Sequence, residues 1–372
     1  MGEVNQAPLR ILHIPCNTPY VRKIKKAGKI EIVNGIKLSS NEHVPLEITY
    51  QWISEHKNNQ GFWNSFDVCH LHYGFEFESI EAVEMALKLL QRHHKPIVYT
   101  CHELCSAHGV FVEQYRWYVA LILEYATSVI TLTNGAKAVL AVEHPQVSVT
   151  VIPHGFVWFP QTTEVKTGNV PEILFFGAIR SNRDVPTTMT NLLFGIEEGR
   201  SRVSWVTRPF TQEQLENSAT LRMVLELAMR NPLVRVELSL PLTDREVADQ
   251  VSKVDILALP YISAGHSGQL ELAYDCGVLP VITNVGFLSA QHQMWSKENS
   301  EIPHIIEVDW SDGKSWLYQA RFLQGVREAL KILPTFKQSL NWGKRRSFRA
   351  EEYERFLNDH LTVYRKSIRE KG

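Results

Sequence analysis

The residues with the clearest chemical potential lie in one short loop, Pro260–Glu271, which carries His266, Ser267, Gly268 and the closing Glu271. The loop follows an apolar, strand-like segment and opens onto a helix-like one. Backbone N–H groups gather at such a junction, and small residues let an anion approach them. The loop therefore predicts a phosphate site. A plain turn at Ser-Gly, and a glutamate stabilised only by the helix dipole, are the alternative interpretations.

Basic residues follow two other strand-like segments. Arg180 and Arg183 come after Ile173–Phe176, and Arg208 comes after Arg202–Val206. A half-buried diphosphate carries at least two negative charges, and it needs cationic partners and N–H donors to offset its desolvation. Guanidinium groups suit bidentate recognition of its oxygens. From residue types alone, solvated loop arginines are the favoured interpretation of Arg180 and Arg183, and diphosphate ligands are the alternative, with Arg208 as a weaker third candidate.

Histidines mark strand ends in the first half of the chain. His102 follows the segment Pro96–Thr100 and precedes Glu103, while His70 and His72 stand two positions apart. Residues two apart on a strand point to the same face. His102 is the histidine that we expect to meet a ligand, and a histidine satisfied within a strand end is the alternative.

A bound metal is not expected. His70, His72 and His154 could be combined into a metal site, but this is the less favoured interpretation. Asp309 and Asp312 lack the Asp-x-Asp spacing that often holds a divalent cation. No Gly-x-Gly-x-x-Gly follows a strand, which argues against a nicotinamide enzyme. We predict no metal and no cofactor.

Cysteine usage indicates a reducing compartment. Five cysteines are an odd number, and most lie in or beside apolar strand-like runs, which favours buried thiols over disulfides. They are Cys16, Cys69, Cys101, Cys105 and Cys276. The sequence contains neither a signal-like N-terminal stretch nor a run of about 20 apolar residues. We therefore predict a cytoplasmic protein without a transmembrane segment.

Overall charge excludes a general attraction to polyanions. Lys and Arg number 39 and Asp and Glu number 40 among 372 residues, so no global field steers the protein to nucleic acid. The last segment, Arg345–Arg369, is strongly charged and has apolar residues three and four apart. We expect this helix to pack back on one of the domains, and peripheral contact with a membrane is the alternative.

Short apolar strands alternate with helices along most of the chain, which is typical of a parallel sheet covered on both faces. The predicted strands of the first half are Leu9–Ile14, Phe66–Leu71, Pro96–Thr100, Ser128–Leu132 and Val147–Ile152. Those of the second half are Ile173–Phe176, Arg202–Val206, Val234–Leu238, Asp255–Leu259 and Val278–Thr283. One long helix is predicted over Glu213–Arg230. The polar stretch 161–169 reads as a linker.

The chain resembles the two-domain glycosyltransferases of the GT-B fold, in particular the family-four-like retaining enzymes that use nucleotide sugars. The residues that carry the resemblance are Phe176–Arg183, Val151–Gly155, His102-Glu103, Ala258–Tyr261 with His266–Gly268, and His72–Glu76. It implies an α/β protein with two Rossmann-like domains facing across a cleft and a C-terminal helix crossing back to the N-terminal domain. The implied ranges are 1–160 for the acceptor domain, 161–344 for the nucleotide-sugar domain and 345–372 for the helix.

The resemblance also implies roles for individual residues. Those expected to take part in catalysis are His102, Arg183 and Glu271. Those expected to bind the donor, a nucleoside-diphosphate sugar such as a UDP sugar, are Gly177, Arg180, Arg183, Arg208, Leu240, His266, Ser267, Gly268 and Glu271. Those expected to bind a small-molecule or glycan acceptor are Asn17, His72, Tyr73 and Glu103. The implied reaction is a metal-independent hexosyl transfer with retention.

The chain departs from the family pattern in two places. Ser263 stands where the family often has the first of two glutamates eight positions apart, and Cys16–Tyr20 replaces a Gly-Gly loop. Two rival functions stay open. A nucleotide-sugar epimerase of the same architecture would need an acid and base pair, for which Glu76 and Glu103 are available. A non-catalytic nucleotide-sugar-binding protein would keep Arg183 and Ser267 without turnover.

Overall fold

A computed structural model divides the chain into two compact units. The structure describes residues 7–16, 18–24, 29–33, 47–73, 75–104, 112–157, 170–195, 201–292, 303–310 and 315–371. The first unit comprises the described residues within 1–106, 110–155 and 349–372, and the second comprises those within 156–348. Asn17, Cys105 and the predicted linker 161–169 lie outside the described residues.

The first unit is built on a parallel sheet of six strands in the order β2-β1-β3-β4-β5-β6. Its strands are β1 (Leu9–Ile14), β2 (Ile30–Val33), β3 (Val68–Leu71), β4 (Ile97–Cys101), β5 (Ser128–Thr131) and β6 (Val149–Val151). Its helices before the C-terminal one are α1 (Pro19–Ile24), α2 (Glu47–Glu55), α3 (Gln60–Trp63), α4 (Ile80–Arg92), α5 (Val112–Tyr125) and α6 (Asn134–Glu143), with a 3-10 turn at Phe75–Phe77. β1 has β2 on one side and β3 on the other, so the strand order reverses there.

The two faces of this sheet differ in composition near its carboxyl edge. One face is largely apolar and packs against Phe75, Leu87 and Ile122. On the other face the apolar residues Ile11 and Val68 give way, two positions on, to histidines. The alternation of side chains along each strand therefore places several histidines side by side at the carboxyl edge of one face.

The C-terminal helix α14 (Trp342–Lys371) covers this second face. Its buried residues Phe356, Leu357, Leu361 and Tyr364 belong to one hydrophobic cluster with the residues that β1, β3, β4 and β5 present on this face of the sheet. The predicted return of the C-terminal helix to the first domain is confirmed.

The second unit repeats the architecture with a parallel sheet in the order β12-β11-β10-β7-β8-β9. Its strands are β7 (Glu172–Phe176), β8 (Arg202–Thr207), β9 (Val234–Leu238), β10 (Ile256–Leu259), β11 (Leu279–Thr283) and β12 (Ile306–Val308). β7 lies between β8 and β10, so this sheet also has a point where the strand order reverses. The predicted α/β class with two Rossmann-like domains is confirmed.

The helices of the second unit flank this sheet. They are α7 (Val185–Gly195), α8 (Gln212–Asn217), α9 (Ala219–Arg230), α10 (Asp244–Val251), α11 (Gly268–Cys276), α12 (Leu288–His292) and α13 (Ser315–Ser339). The single helix predicted over Glu213–Arg230 is wrong. Ser218 takes an extended conformation between α8 and α9, and its hydroxyl caps α9 by accepting from the N–H of Leu221.

A span across a bilayer needs about 20 apolar residues in a helix. Among the helices described above, none combines that length with enough apolar character to cross a membrane.

Candidate functional site

Two loops at the carboxyl edge of the second sheet are joined to each other. Residues 177–184 follow β7, and residues 260–267 follow the neighbouring β10. The carbonyl of Asn182 accepts from the N–H of Ile262 at 2.8 Å, and its Nδ2 donates to the carbonyl of Ser263 at 3.2 Å. Open α/β sheets bind ligands where the strand order reverses, and these loops occupy that position.

Arg183 lies inside this pair of loops and is 7% exposed. Its Nη1 donates to the carbonyl of Phe176 at 2.9 Å and to Oε1 of Gln269 at 3.1 Å, and its Nη2 donates to the carbonyl of Ala178 at 3.2 Å. The guanidinium also lies 5.6 Å from the ring centroid of Tyr261, within cation-π range. These contacts hold the guanidinium in one place.

No described residue supplies an anion that compensates the charge of Arg183. Within the described part of the chain no carboxylate pairs with it, and its buried Nε has no hydrogen-bond partner. Burial lowers the pKa of the guanidinium from its usual value, but an arginine side chain stays protonated in proteins. A buried cation without a counter-ion is costly, so the arrangement favours an anionic ligand.

Gly177 makes room for this arrangement. It follows β7 with φ of +103°, which L residues with a side chain rarely adopt. A Cβ on Gly177 would lie 2.9 Å from Nη2 of Arg183 and 3.2 Å from Nε2 of Gln269. The missing side chain thus allows both groups to pack against the backbone at the end of β7.

The N-terminus of α11 supplies further donors. Among the described residues, the backbone N–H groups of Gly268 and Gln269 form no hydrogen bond. Gln269 spans the gap between this helix end and β7, because its Nε2 donates to the carbonyl of Phe176 at 3.0 Å while its Oε1 accepts from Arg183. A fixed guanidinium and the positive end of a helix therefore lie at the same strand ends.

Ser267 shapes the loop from within. Its hydroxyl caps α11 by accepting from the N–H of Leu270 at 3.2 Å, and it lies 2.9 Å from the hydroxyl of Tyr261. Its own N–H donates to Gln291, which also donates to Glu271 at 2.6 Å. Ser267 and Glu271 are 2% and 3% exposed. Both residues are buried and stabilise the N-terminal end of α11 through these hydrogen bonds. Their predicted contacts with the donor stay predictions.

The remaining donor-site candidates are more exposed. Arg180 and Arg208 are exposed, and neither forms an ion pair with any residue that the structure describes. Leu240 is 77% exposed two residues beyond β9. His266 is half-buried in the loop before α11. All four lie after strands β7 to β10, at the edge where Arg183 is found.

The first unit presents a separate group of histidines at its own carboxyl edge. His13 is the penultimate residue of β1, His72 follows β3 and His102 follows β4. Nδ1 of His13 lies 2.9 Å from Nε2 of His72, and Nδ1 of His72 lies 3.2 Å from Nε2 of His102. We call this chain of three imidazoles the histidine relay. His102 is its most exposed member, at 9%.

His70 lies beside the relay but is bonded elsewhere. Its Nδ1 lies 2.8 Å from the hydroxyl of Tyr364, and its Nε2 lies 2.7 Å from the hydroxyl of Thr100. The nitrogens of His13, His70 and His72 are close enough to surround a metal ion. Ion binding would have to break several of these hydrogen bonds, so the arrangement fits a hydrogen-bonded network better than a metal centre.

The predicted partner of this group, His154, has a different environment. His154 accepts at its carbonyl from Nζ of the buried Lys23, 2.5 Å away. Tyr73 is 37% exposed, and its ring packs edge-on against His102 at 5.5 Å. Glu103 follows His102 and is half-buried. The structure thus brings His72, Tyr73, His102 and Glu103 to one edge, while the fourth acceptor candidate, Asn17, lies outside the described residues.

Sequence reasoning assigned no role to four residues that organise these groups. They are His13, Tyr261, Gln269 and Gln291. Gln269 stands directly after the predicted Ser-Gly pair, so its place at the first turn of a helix was a usable signal. The contribution of His13 depends on the pairing of β1 with β3, where His13 is opposite His70, and no local pattern reports that pairing.

Comparison with known proteins bears on the fold. The sequence matches no protein-family model and no curated protein. Among solved structures, it is similar to a glycosyltransferase from Rickettsia africae ESF-5, with 14% identity, 97% of this chain and 99% of that chain covered, and a TM-score of 0.61. It is also similar to sucrose-phosphate synthase from Thermosynechococcus elongatus, with 14% identity, 97% and 98% coverage, and a TM-score of 0.63.

A third similar structure contains a bound ligand. The trehalose-6-phosphate structure from E. coli with bound UDP-2-fluoro glucose matches at 10% identity, 87% coverage of this chain and 77% of that chain, and a TM-score of 0.51. At these identities the similarity is one of fold. The chain has the GT-B fold of these proteins.

Proposed function

We propose that this protein is a glycosyltransferase that moves a hexose-type unit from a nucleoside-diphosphate sugar to a small-molecule or glycan acceptor. The observation that carries the proposal is Arg183, a buried guanidinium that has no counter-ion among the described residues. It lies beside the N–H groups of Gly268 and Gln269, which form no hydrogen bond with those residues either. A diphosphate supplies the negative charge that balances this guanidinium, and its oxygens match the N–H donors at the strand edge.

The comparisons support the choice of donor. One protein of the same fold holds UDP-2-fluoro glucose, so the fold accommodates a UDP sugar. By analogy we assign UDP sugars as the donor class of this chain. The more exposed Arg180 and Arg208 extend the basic edge around the diphosphate, and Leu240 lies where the base would meet the loop after β9.

The proposed reaction proceeds with retention. The acceptor hydroxyl oxygen forms the new bond to the anomeric carbon on the face from which the diphosphate leaves. The bond between that carbon and the phosphate oxygen breaks, the diphosphate takes the electron pair, and the acceptor proton passes to a phosphate oxygen. The transition state resembles an oxocarbenium ion, so catalysis consists of stabilising the separated charges. Arg183 and the α11 N-terminus do so at the phosphates, while His102 donates to a sugar oxygen.

Turnover is expected to survive removal of divalent metal. Mg²⁺ commonly neutralises a departing diphosphate, but here a fixed guanidinium and a helix N-terminus occupy that role. Addition of excess EDTA should therefore leave the rate of donor consumption unchanged. A rate that collapses in EDTA and returns with Mg²⁺ would show that metal independence is wrong.

The proposed function is tested by incubating the protein with a panel of nucleotide sugars and following release of nucleoside diphosphate. Slow hydrolysis of one donor, accelerated by an acceptor, is the expected result. Interconversion of donor sugars without release would indicate an epimerase, and tight binding without either reaction would indicate a sensor. NMR of the anomeric proton in the product checks retention. The cytoplasmic location and the absence of nucleic-acid partners stay predictions.

A further inference from the structure

The histidine relay connects the core of the first unit to His102. His13 and His72 are each 1% exposed, and they reach His102 through two successive imidazole contacts. The three side chains come from the ends of adjacent strands, which are held in register by the sheet. We propose that His13 and His72 are positioning residues that hold His102 as the neutral tautomer with its proton on Nδ1. Only the effect of this tautomer on turnover rests on the proposed function.

Neutral rings make such a relay directional. Burial lowers the pKa of His13 to about 3 and that of His72 well below its usual value. The groups packed around them are Tyr20 from α1, His70 from β3 and His360 from α14, and none of these is an acid that would favour an imidazolium. A neutral imidazole has one donor nitrogen and one acceptor nitrogen. Because of the two consecutive contacts, all three rings carry their proton on the same nitrogen, either all on Nδ1 or all on Nε2.

The environment of His13, at the buried end of the relay, decides between these two arrangements. Nε2 of His13 is buried and has no hydrogen-bond partner among the described residues. If Nε2 of His102 donated to His72, and His72 in turn to His13, the proton of His13 would be on Nε2. It would then be a buried N–H without an acceptor among the described residues. Orphaned N–H groups are rare inside proteins. If His13 instead donates to His72 and His72 donates to His102, Nε2 of His13 keeps only an unused lone pair. We therefore assign the proton of each ring to Nδ1.

This assignment gives His102 a defined chemical role. Its Nε2 accepts from Nδ1 of His72, so the ring has no free basic nitrogen on that side and its donor is Nδ1. A fixed N–H donor is suited to a sugar hydroxyl or to charge that develops on a sugar oxygen. A wrong tautomer at such a position removes the donor although the ring stays in place.

The tautomer can be measured without substrate. In protein labelled with ¹⁵N-histidine, the resonances of His102 are assigned by their loss in His102→Gln. The expected spectrum has a pyrrole-type Nδ1 and a pyridine-type Nε2 for His102, and the opposite pattern would overturn the proposal. His13→Phe keeps the volume and removes the donor to His72, so His102 should lose its single tautomer. His13→Asn places an amide N–H near the original Nδ1, so it should restore the wild-type pattern.

A matched control and a kinetic readout separate positioning from packing. His70→Gln removes a buried imidazole next to the relay but not within it, so the tautomer of His102 should not change. We expect His13→Phe to lower kcat/KM for the donor by at least about tenfold and His13→Asn to recover most of it. Equal losses in both variants with an unchanged tautomer would mean that His13 acts through stability alone. The wild-type spectrum decides the proposal even if a variant fails to fold or no donor is turned over.

Discussion

Arg183→Met is expected to weaken the binding of UDP by about two orders of magnitude, because truncating one partner of a desolvated charge pair costs about 2–5 kcal/mol. Methionine keeps most of the side-chain volume and removes the only buried cation among the described residues at this strand edge. Isothermal titration with UDP measures the change. Arg183→Lys should fall between the two proteins, since lysine keeps the charge but lacks the planar fork of donors.

The stability of the free protein should respond very differently to the same change. In the absence of ligand Arg183 is desolvated and no described carboxylate pairs with it, so replacing it removes a desolvation cost. The replacement also loses hydrogen bonds to two carbonyls. We expect the midpoint of thermal unfolding to stay within about 4 °C of wild type. UDP should raise the midpoint of the wild type but not that of the variant.

Arg230→Gln is the control for Arg183→Met. Arg230 is exposed at the end of α9, so its loss changes the net charge of the protein equally without touching the strand edge. UDP affinity should match that of wild type. An Arg183→Met protein that binds UDP as tightly as wild type would show that the diphosphate does not bind at this arginine.

Gly177→Ala is expected to lower both stability and UDP affinity. The φ of +103° strains any residue with a Cβ, at a cost of about 1–3 kcal/mol. The added Cβ also meets the ends of Arg183 and Gln269 at 2.9 and 3.2 Å, so both side chains must move. Chemical denaturation measures the free energy of unfolding, and titration with UDP measures the binding of the folded variant.

A second glycine distinguishes the effect of backbone strain from the effect of displacing the side chains of Arg183 and Gln269. Gly155 also has a positive φ, +68°, but a Cβ there has only Oε2 of Glu352 nearby, at 4.0 Å. Gly155→Ala should therefore lose stability while keeping UDP affinity. In an Arg183→Met background, Gly177→Ala should change UDP affinity much less than in wild type, because the two changes act on one guanidinium. Fully additive losses of UDP affinity in the double variant would show that Gly177 does not act through Arg183.

Much of the architecture was predictable because it depends on local patterns. The strands β1, β3, β4, β7, β8 and β10 are apolar runs, and the side-chain alternation around His70 and His72 correctly indicated one face. Sequence reasoning missed β2 and β12 and the break between α8 and α9. The break at Ser218 lies inside a continuous helical pattern, so periodicity alone does not show it.

The donor edge shows the same division between local and non-local information. A Gly-rich loop before a helix predicts an anion site, because a helix N-terminus has unpaired N–H groups wherever it occurs. The contact of Arg183 with Gln269, 86 positions away, depends on β7 and β10 being neighbours. The burial of the guanidinium, on which the argument for a diphosphate rests, is a consequence of that pairing.

The sequence by itself determined the two alternating halves, the position of the anion-binding loop and the arginines and histidines that follow the strands. These are properties of periodicity and turn chemistry, which act over a few residues. Three facts were decided by the tertiary structure alone. Arg183 has no counter-ion in the described part of the chain, the missing side chain of Gly177 leaves room for Arg183 and Gln269, and His13 begins the histidine relay to His102. Those facts depend on strand order and register, which bring together residues tens of positions apart and which short-range patterns do not encode.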